Sequence, residues 1–357
     1  MILADLDREL AVSVAAMVAD GTLPSAASGI SPGHTWRPEP GADPASFATS
    51  LAFELAALTN RRPADVAAQL AAPLASLPWV AAAEVTGRGY LTISVTACAL
   101  GDAAAQLAAA GPAAARSTIL TGTTASVRPW PDLASSPTWR QAWQDHAAAM
   151  TGRLAAAAGA SVIATMIGER GSPPARVARS RQPTVAAAVA WYGVHPVRYG
   201  LARTSPGRVA QLGRLLAPGA GHHDPLYPVQ QAHTSAAATL RWATELDLPT
   251  ADPGERTGDL LCARCERALL GLLPWLPVRV ASAARRNRPD EMPGYLEAVS
   301  AAWLAVRQQA PALPFGGRAA PADPATAGAR LVLADAVRAV IAAGLAIIGA
   351  PVCGWDD

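Results

Sequence analysis

Apolar residues recur at helical spacing from the start of the chain: Leu3 to Val18 reads as a helix ended by Asp20-Gly21. A Pro/Gly/Ser-rich passage follows, Leu23 to Pro44. Then FATSLAFELAALTN, Phe47 to Asn60, is again helical in its spacing. Asn60 leads into RRPADVAAQLAAPL, where Pro63 suits the first turn of a third helix, because its missing amide would be unpaired there anyway. WVAAAEV and YLTISV flank Thr86-Gly87-Arg88-Gly89, two short apolar runs about a glycine turn, which predicts a hairpin. A further helix closes a compact α+β module of about 100 residues.

The last third is helical throughout. Leu269, Leu270, Leu272, Leu273, Trp275, Val278 and Val280 form one set of apolar stripes. Val332, Leu333, Val337, Val340, Ile341, Leu345 and Ile348 form another, and stripes of this kind must pack on each other. They predict a scaffold, with any binding chemistry on polar faces and loops. The most apolar run, Ala336 to Ile348, carries Arg338 and reads as a buried helix rather than a membrane span.

Composition narrows the chemistry. Half of the 357 residues are hydrophobic and 16% are charged, which suits a packed core and not a solvated disordered chain. All 29 basic residues are arginine, and lysine is absent. That excludes a P-loop lysine, a Schiff base or pyridoxal-phosphate linkage, and any lysine-dependent signature loop. The opening MILADLDREL has acids and no basic region, so no signal peptide is expected. Four cysteines make no disulfide framework, and a cytoplasmic protein is expected.

The net charge of +2 hides a strong partition. Residues 1–115 hold 5 Arg against 10 acids, residues 116–228 hold 12 against 4, and residues 229–357 hold 12 against 13. The middle, at +8, is where an anion would be met. Arg176, Arg179 and Arg181 sit in SPPARVARSRQP, followed by Arg198, Arg203, Arg208 and Arg214. Guanidinium groups match phosphate bidentately and stay charged, so RNA is a reasonable polyanion. A solvated basic face without a partner is the other reading.

Other candidates are weaker. Cys262-Ala-Arg-Cys265 lacks a second ligand pair for zinc and reads as two buried small residues sharing a helix face. His222-His223-Asp224 precedes a helix start, where polar groups satisfy free amides. No Ser/His/acid or paired-carboxylate set stands out. The expectation is therefore no catalytic residue, no metal and no cofactor.

Three segments carry a family resemblance. DPLYPVQQAHTS, Asp224 to Ser235, resembles the "NPxYYVQYAHAR" segment of arginyl-tRNA synthetases at Pro225, Tyr227, Val229, Gln230, Ala232 and His233. The helices after it, through ARLVLADAVRAVIAAGLAIIGAP, resemble the DALR anticodon-binding domain of that family. Phe47 and Gly87-Arg88-Gly89-Tyr90-Leu91 resemble the aromatic and hairpin positions of its N-terminal additional domain. Ala48 and Ser50 replace the polar residues flanking that aromatic. Arg307 stands at the family's anticodon-facing tyrosine, and PVCGWDD at its terminal "PExM".

Between these ends the resemblance implies only fragments of a catalytic core. Thr118 to Ser126 looks like the first strand, Trp139 to Ala160 the following helix, and Ser161 to Gly171 the second strand, with Glu169 for Asp. VAWYGVHPVRYGLARTSPG resembles a later core segment, with Arg198 at its arginine. The HIGH position reads RPWPDLASSPTW, and the KMSKS loop is impossible without lysine. ATP binding is therefore not expected.

The reading implied is a multidomain, mainly α chain. It has an α+β module (1–115), a reduced Rossmann-like α/β remnant (116–228) and an all-α DALR-like bundle (229–357). The expected function is a non-catalytic paralogue that binds tRNA, tRNA-Arg or a related one, and presents or regulates it. Its further partner would be a tRNA-using enzyme or a second copy of itself, with no membrane involved. Two alternatives stay open: ligase or aminoacyl-tRNA-dependent transferase activity with a partner, and a protein-interaction scaffold. The resemblance implies Phe47, Gly89 and Tyr90 at the tRNA elbow, while the basic charge of the middle makes Arg176, Arg179, Arg181, Arg198 and Arg203 the residues expected on phosphates. It implies Tyr227, Gln230, His233, Arg307 and Arg330 around the anticodon arm.

Overall fold

The computed structural model describes residues 2–37, 43–164, 183–217, 224–248, 257–314 and 323–352. Its first elements are α1 (Ile2–Ala19), β1 (Trp36–Arg37), β2 (Ser46–Thr49), α2 (Leu51–Thr59), α3 (Pro63–Leu74), β3 (Val80–Thr86), β4 (Tyr90–Val95) and α4 (Ala97–Ala110). Then come β5 (Thr124–Val127), α5 (Trp139–Ala157), β6 (Ser161–Ala164), α6 (Val185–Tyr192), α7 (Val194–Arg203) and α8 (Leu212–Leu215). The helices α9 (Tyr227–Glu245), α10 (Thr257–Leu260), α11 (Arg264–Leu272), α12 (Leu276–Arg285), α13 (Glu291–Gln309) and α14 (Pro324–Ile348) complete the order. The chain forms two compact units: residues 1–109, 239–278 and 302–336, and residues 110–238, 279–301 and 337–357.

In the first unit the expected hairpin is present, Thr86 pairing with Tyr90 and Val85 with Leu91. Gly89, at φ 131°, is held where a Cβ would lie 2.6 Å from Pro63, so the turn needs glycine for space and for backbone conformation. Pro63 opens α3 as expected, and Asn60 takes the left-handed conformation that ends α2.

The sheet is larger than the expected hairpin. It has four antiparallel strands in the order β1-β2-β4-β3. Phe47 to Thr49, expected to begin a helix, instead pair with Ile93 to Leu91 of β4. The helix starts only at Leu51. The buried Thr35 and Thr49 hydroxyls bond to each other, and the Ser50 amide donates to Thr35 O at 3.0 Å, which fixes that extended stretch. Phe47, Leu55, Leu70, Leu91 and Ile93 are wholly buried between the sheet and its helices.

Helices of the C-terminal third complete this unit. The Phe47 and Trp275 rings lie 5.6 Å apart. A Cβ on Gly271 would come 2.3 Å from Pro44 O, and one on Gly101 2.3 Å from the Gly258 amide nitrogen, so glycine permits both approaches. Glu266 is buried, with one carboxylate oxygen accepting the Ala263 amide at 2.7 Å and the other Arg330 Nε at 2.6 Å.

In the second unit β5 and β6 pair in parallel, joined by α5. α5 is capped by the Thr138 hydroxyl, which accepts the Gln141 amide. It lies close on β5 because Gly152 has no Cβ; one would meet Ser126 O at 2.2 Å. Leu133, Ala142, Val197, Leu201 and Leu212 form the core beside it. Two tryptophans anchor that core through their indole N–H groups: Trp143 to Thr204 O and Trp139 to Pro183 O, both at 2.8 Å.

α14 is long and apolar enough to cross a membrane by length and composition. Of its most apolar window, 72% is buried within the protein, as expected of a core helix.

Candidate nucleic-acid interface

The hairpin carries an exposed aromatic and an exposed cation side by side. Tyr90 is 43% exposed and rests against Phe53, centroids 4.9 Å apart, with Arg88 exposed on the turn before it. Phe47 behaves differently: its ring has no exposed surface and serves the core under Trp275. Of the three residues assigned to the tRNA elbow, only Tyr90 presents a face to a ligand. Gly89 shapes the turn.

A cleft in the first unit runs between the end of α13 and the part of α9 after Ala238. Trp303, Val306, Pro311 and Leu313 form its apolar lining; Trp242, Arg307 and Arg330 supply π surface and charge. Trp242 is 44% exposed, an indole available for stacking. Burial draws the Arg307 guanidinium below its ordinary range. Arg330 is committed elsewhere: besides Glu266, its Nη1 donates to Pro311 O at 3.0 Å. The structure therefore places Arg307 and Arg330 at one cleft and gives Arg330 a structural task within it.

Tyr227, Gln230 and His233 lie on the first two turns of α9, in the second unit. Their three-residue spacing sets them along one helix face. Tyr227 is 56% exposed. Burial, then the positive charge of Arg338, lowers the His233 pKa to about 4, so it is neutral at pH 7. The Asp224 carboxylate accepts the Leu226 amide at 2.8 Å ahead of α9.

The arginines of the middle divide into two kinds. Arg198 faces inward, donating to Gly349 O at 3.1 Å and lying 5.3 Å from the Trp130 ring centroid. Arg203 faces outward, paired with Glu297 at 2.7 Å while 57% of its side chain stays exposed. Arg203 and Arg208 line a groove of about 340 Å³ with Thr204, Leu215 and Pro225, and among the described residues no acid lines it. Arg208 and Arg214 are both exposed. Arg176, Arg179 and Arg181 lie outside the described residues, as do His222 and His223.

Trp130 lies in the segment that stands at the HIGH position and packs among charged and aromatic side chains. Arg153 sits 3.9 Å from its ring centroid, and His146 stacks on it at 5.2 Å. Burial, then Arg198 and Arg153, lowers the His146 pKa to about 3, and neither ring nitrogen has a hydrogen-bond partner among the described residues. This is a packed aromatic–cation cluster.

The cysteine pair departs from expectation. α11 begins at Arg264, so Cys262 precedes the helix and is exposed, with its thiol on Asp259 O, while Cys265 lies inside the first turn. The two do not share a buried helix face. Among the described residues no cluster suited to a metal ion occurs.

Sequence reasoning missed Trp242, whose only signal was an aromatic after Arg241 on a polar helix face. It also passed over Arg208 as a site residue, although Arg208 belonged to the basic run.

Two family domains match parts of the chain. Residues 38–95 match the arginyl tRNA synthetase N terminal domain, and residues 229–353 the DALR anticodon binding domain. The arginine–tRNA ligase of Micrococcus luteus is 32% identical over 164 residues, 45% of this chain and 29% of that protein. That of Frankia alni is 35% identical over 159 residues, 44% of this chain and 28% of that protein. The matched region thus spans under a third of either relative. The solved arginyl-tRNA synthetase of Thermus thermophilus aligns at 21% identity and TM-score 0.34, over 65% of this chain and 40% of that one.

The chain is an aminoacyl-tRNA synthetase-like protein with a helical anticodon-binding domain. More narrowly, it is arginyl-tRNA synthetase-like, with the N-terminal and DALR domains of that family.

Proposed function

We propose that this protein binds tRNA, tRNA-Arg or a related one, without aminoacylating it, and presents or regulates that tRNA for another enzyme. The observation that carries the reading is the match to two synthetase domains flanking a middle whose HIGH position holds the packed Trp130 cluster. The missing lysine supports it independently, since it removes the KMSKS loop. Three functional regions are proposed: residues 1–115, 116–228 and 229–357.

On this reading Tyr90 and Arg88 meet the elbow, Arg203 and Arg208 take backbone phosphates, and Trp242 with Arg307 stacks and pairs with unpaired bases of the anticodon arm. Tyr227, Gln230 and His233 offer a polar helix face to the same arm. The protein works in the cytoplasm and uses no ATP. The test is arginine-dependent ATP–pyrophosphate exchange by the pure chain, with sequencing of the tRNA that co-purifies. Absence of exchange with enrichment of particular tRNAs is expected; robust exchange contradicts the non-catalytic reading.

A specific observation favours a protein partner in addition. Val162 and Ile163, on opposite faces of β6, are 53% and 59% exposed, although parallel strands are normally covered on both faces. A tRNA-using enzyme or a second copy of this chain is the partner proposed.

A further inference from the structure

The second unit contains a hollow that none of the assignments above uses. It has a volume of about 590 Å³ and is formed by the segment entering β5, the last turn of α5 and the last turn of α14. Arg116 and Arg153 line it, and among the described residues no acidic residue does. Small and apolar side chains, among them Ala156, Ala343 and Ile347, make its floor.

Three features point to a ligand. Arg116 is exposed, and no carboxylate bonds to it among the described residues. Arg153 has Nη1 on Arg128 O at 2.7 Å and Ala149 O at 2.9 Å, with Arg198 over the same Trp130 ring, so its charge meets another cation and no carboxylate. Ser117 also lies on the lining, and its hydroxyl is buried without a hydrogen-bond partner among the described residues. A buried hydroxyl without a partner is uncommon, and among the described residues no carboxylate offsets the two guanidinium groups on this lining.

We propose that this hollow binds a phosphate group carried by a nucleotide. Arg116 and Arg153 take the phosphate oxygens, the Ser117 hydroxyl, rotated out of its buried position, donates to one of them, and the alanine floor receives the sugar or base. The phosphate comes either from an RNA strand or from a free nucleotide. The first source rests on the tRNA-binding reading; the second is independent of it.

The test compares the full chain with Arg116→Ala and Ser117→Ala, leaving Arg153 intact because it holds the Trp130 cluster. Near-ultraviolet circular dichroism confirms that each variant is folded. Anisotropy of labelled tRNA is measured across a salt series, and binding of 5′-AMP and inorganic phosphate by equilibrium dialysis. If the source is RNA, Arg116→Ala weakens tRNA binding at least about fivefold and lowers the log K against log salt slope by about 1, while 5′-AMP does not bind. If the source is a free nucleotide, 5′-AMP binds more tightly than inorganic phosphate and both variants weaken it. That result supports the site even if tRNA does not bind, in which case only the tRNA reading fails. Unchanged tRNA, 5′-AMP and phosphate affinities in both folded variants overturn the proposal.

Discussion

Arg330 Nε lies 2.6 Å from Glu266 Oε1, inside the helical part of the first unit. Glu266 is 1% exposed, and its second oxygen holds the Ala263 amide at the start of α11. One carboxylate thus joins α14 to the first turn of α11. Removing either partner leaves the other charge buried and uncompensated, which typically costs about 3–5 kcal/mol. Glu266→Ala is expected to lower stability by that amount in urea unfolding, with loss of RNA binding only to the extent that the fold is lost. A change below about 1 kcal/mol would show the pair to be incidental.

That pair shows what the sequence could and could not reveal. Periodicity located the helices, Pro63 located the start of α3, and the glycines located the β3–β4 turn, because each is a local demand of the backbone. Charge was visible too, but not what it faced. Arg198 and Arg330, expected on RNA, both turn inward onto carbonyl oxygens, Arg330 onto a carboxylate as well. β2 was missed because four residues from Ser46 to Thr49 fit either period, and only a partner edge on β4 decides between them.

His146 makes the second unit sensitive to acid. Its folded pKa, about 3, lies below the unfolded value of about 6.5, so the unfolded chain takes a proton that the folded one refuses. Stability should fall as pH drops from about 6.5 towards 3, by up to about 1.4 kcal/mol per pH unit. His233, at about 4, acts in the same direction over a narrower window. His146→Phe keeps a ring on Trp130 and removes the titration. Urea melts at pH 6.5 and 5 should show the wild type losing about 2 kcal/mol more than this variant; parallel losses would contradict the assignment.

Asp7 acts in the opposite sense. It accepts the Trp36 indole N–H at 2.6 Å, and burial raises its pKa to about 6 despite that bond. The folded state keeps a proton that the unfolded state loses above about 3.8, so stability is lost as pH rises through 6. Asp7→Asn retains an acceptor for Trp36 without the charge. It should stabilise the protein at pH 7, by up to about 3 kcal/mol, and change little at pH 3.5. Destabilisation at pH 7 would mean the carboxylate is needed in its charged form.

Trp242 separates binding from folding. Its indole is 44% exposed, so Trp242→Ala should shift the melting transition little. If it stacks on an unpaired base, the same change weakens an anticodon stem-loop by about 1–3 kcal/mol. Equal affinity of wild type and variant for that stem-loop would remove Trp242 from the interface.

Binding of tRNA chiefly through arginine–phosphate contacts is the proposal on which the other readings depend. Filter binding of total tRNA at 50 and 200 mM salt, followed by sequencing of the retained RNA, tests it most directly. Retention that falls steeply between the two salts, with particular tRNAs enriched, is expected. Retention of no tRNA above a bulk RNA control at either salt would contradict it.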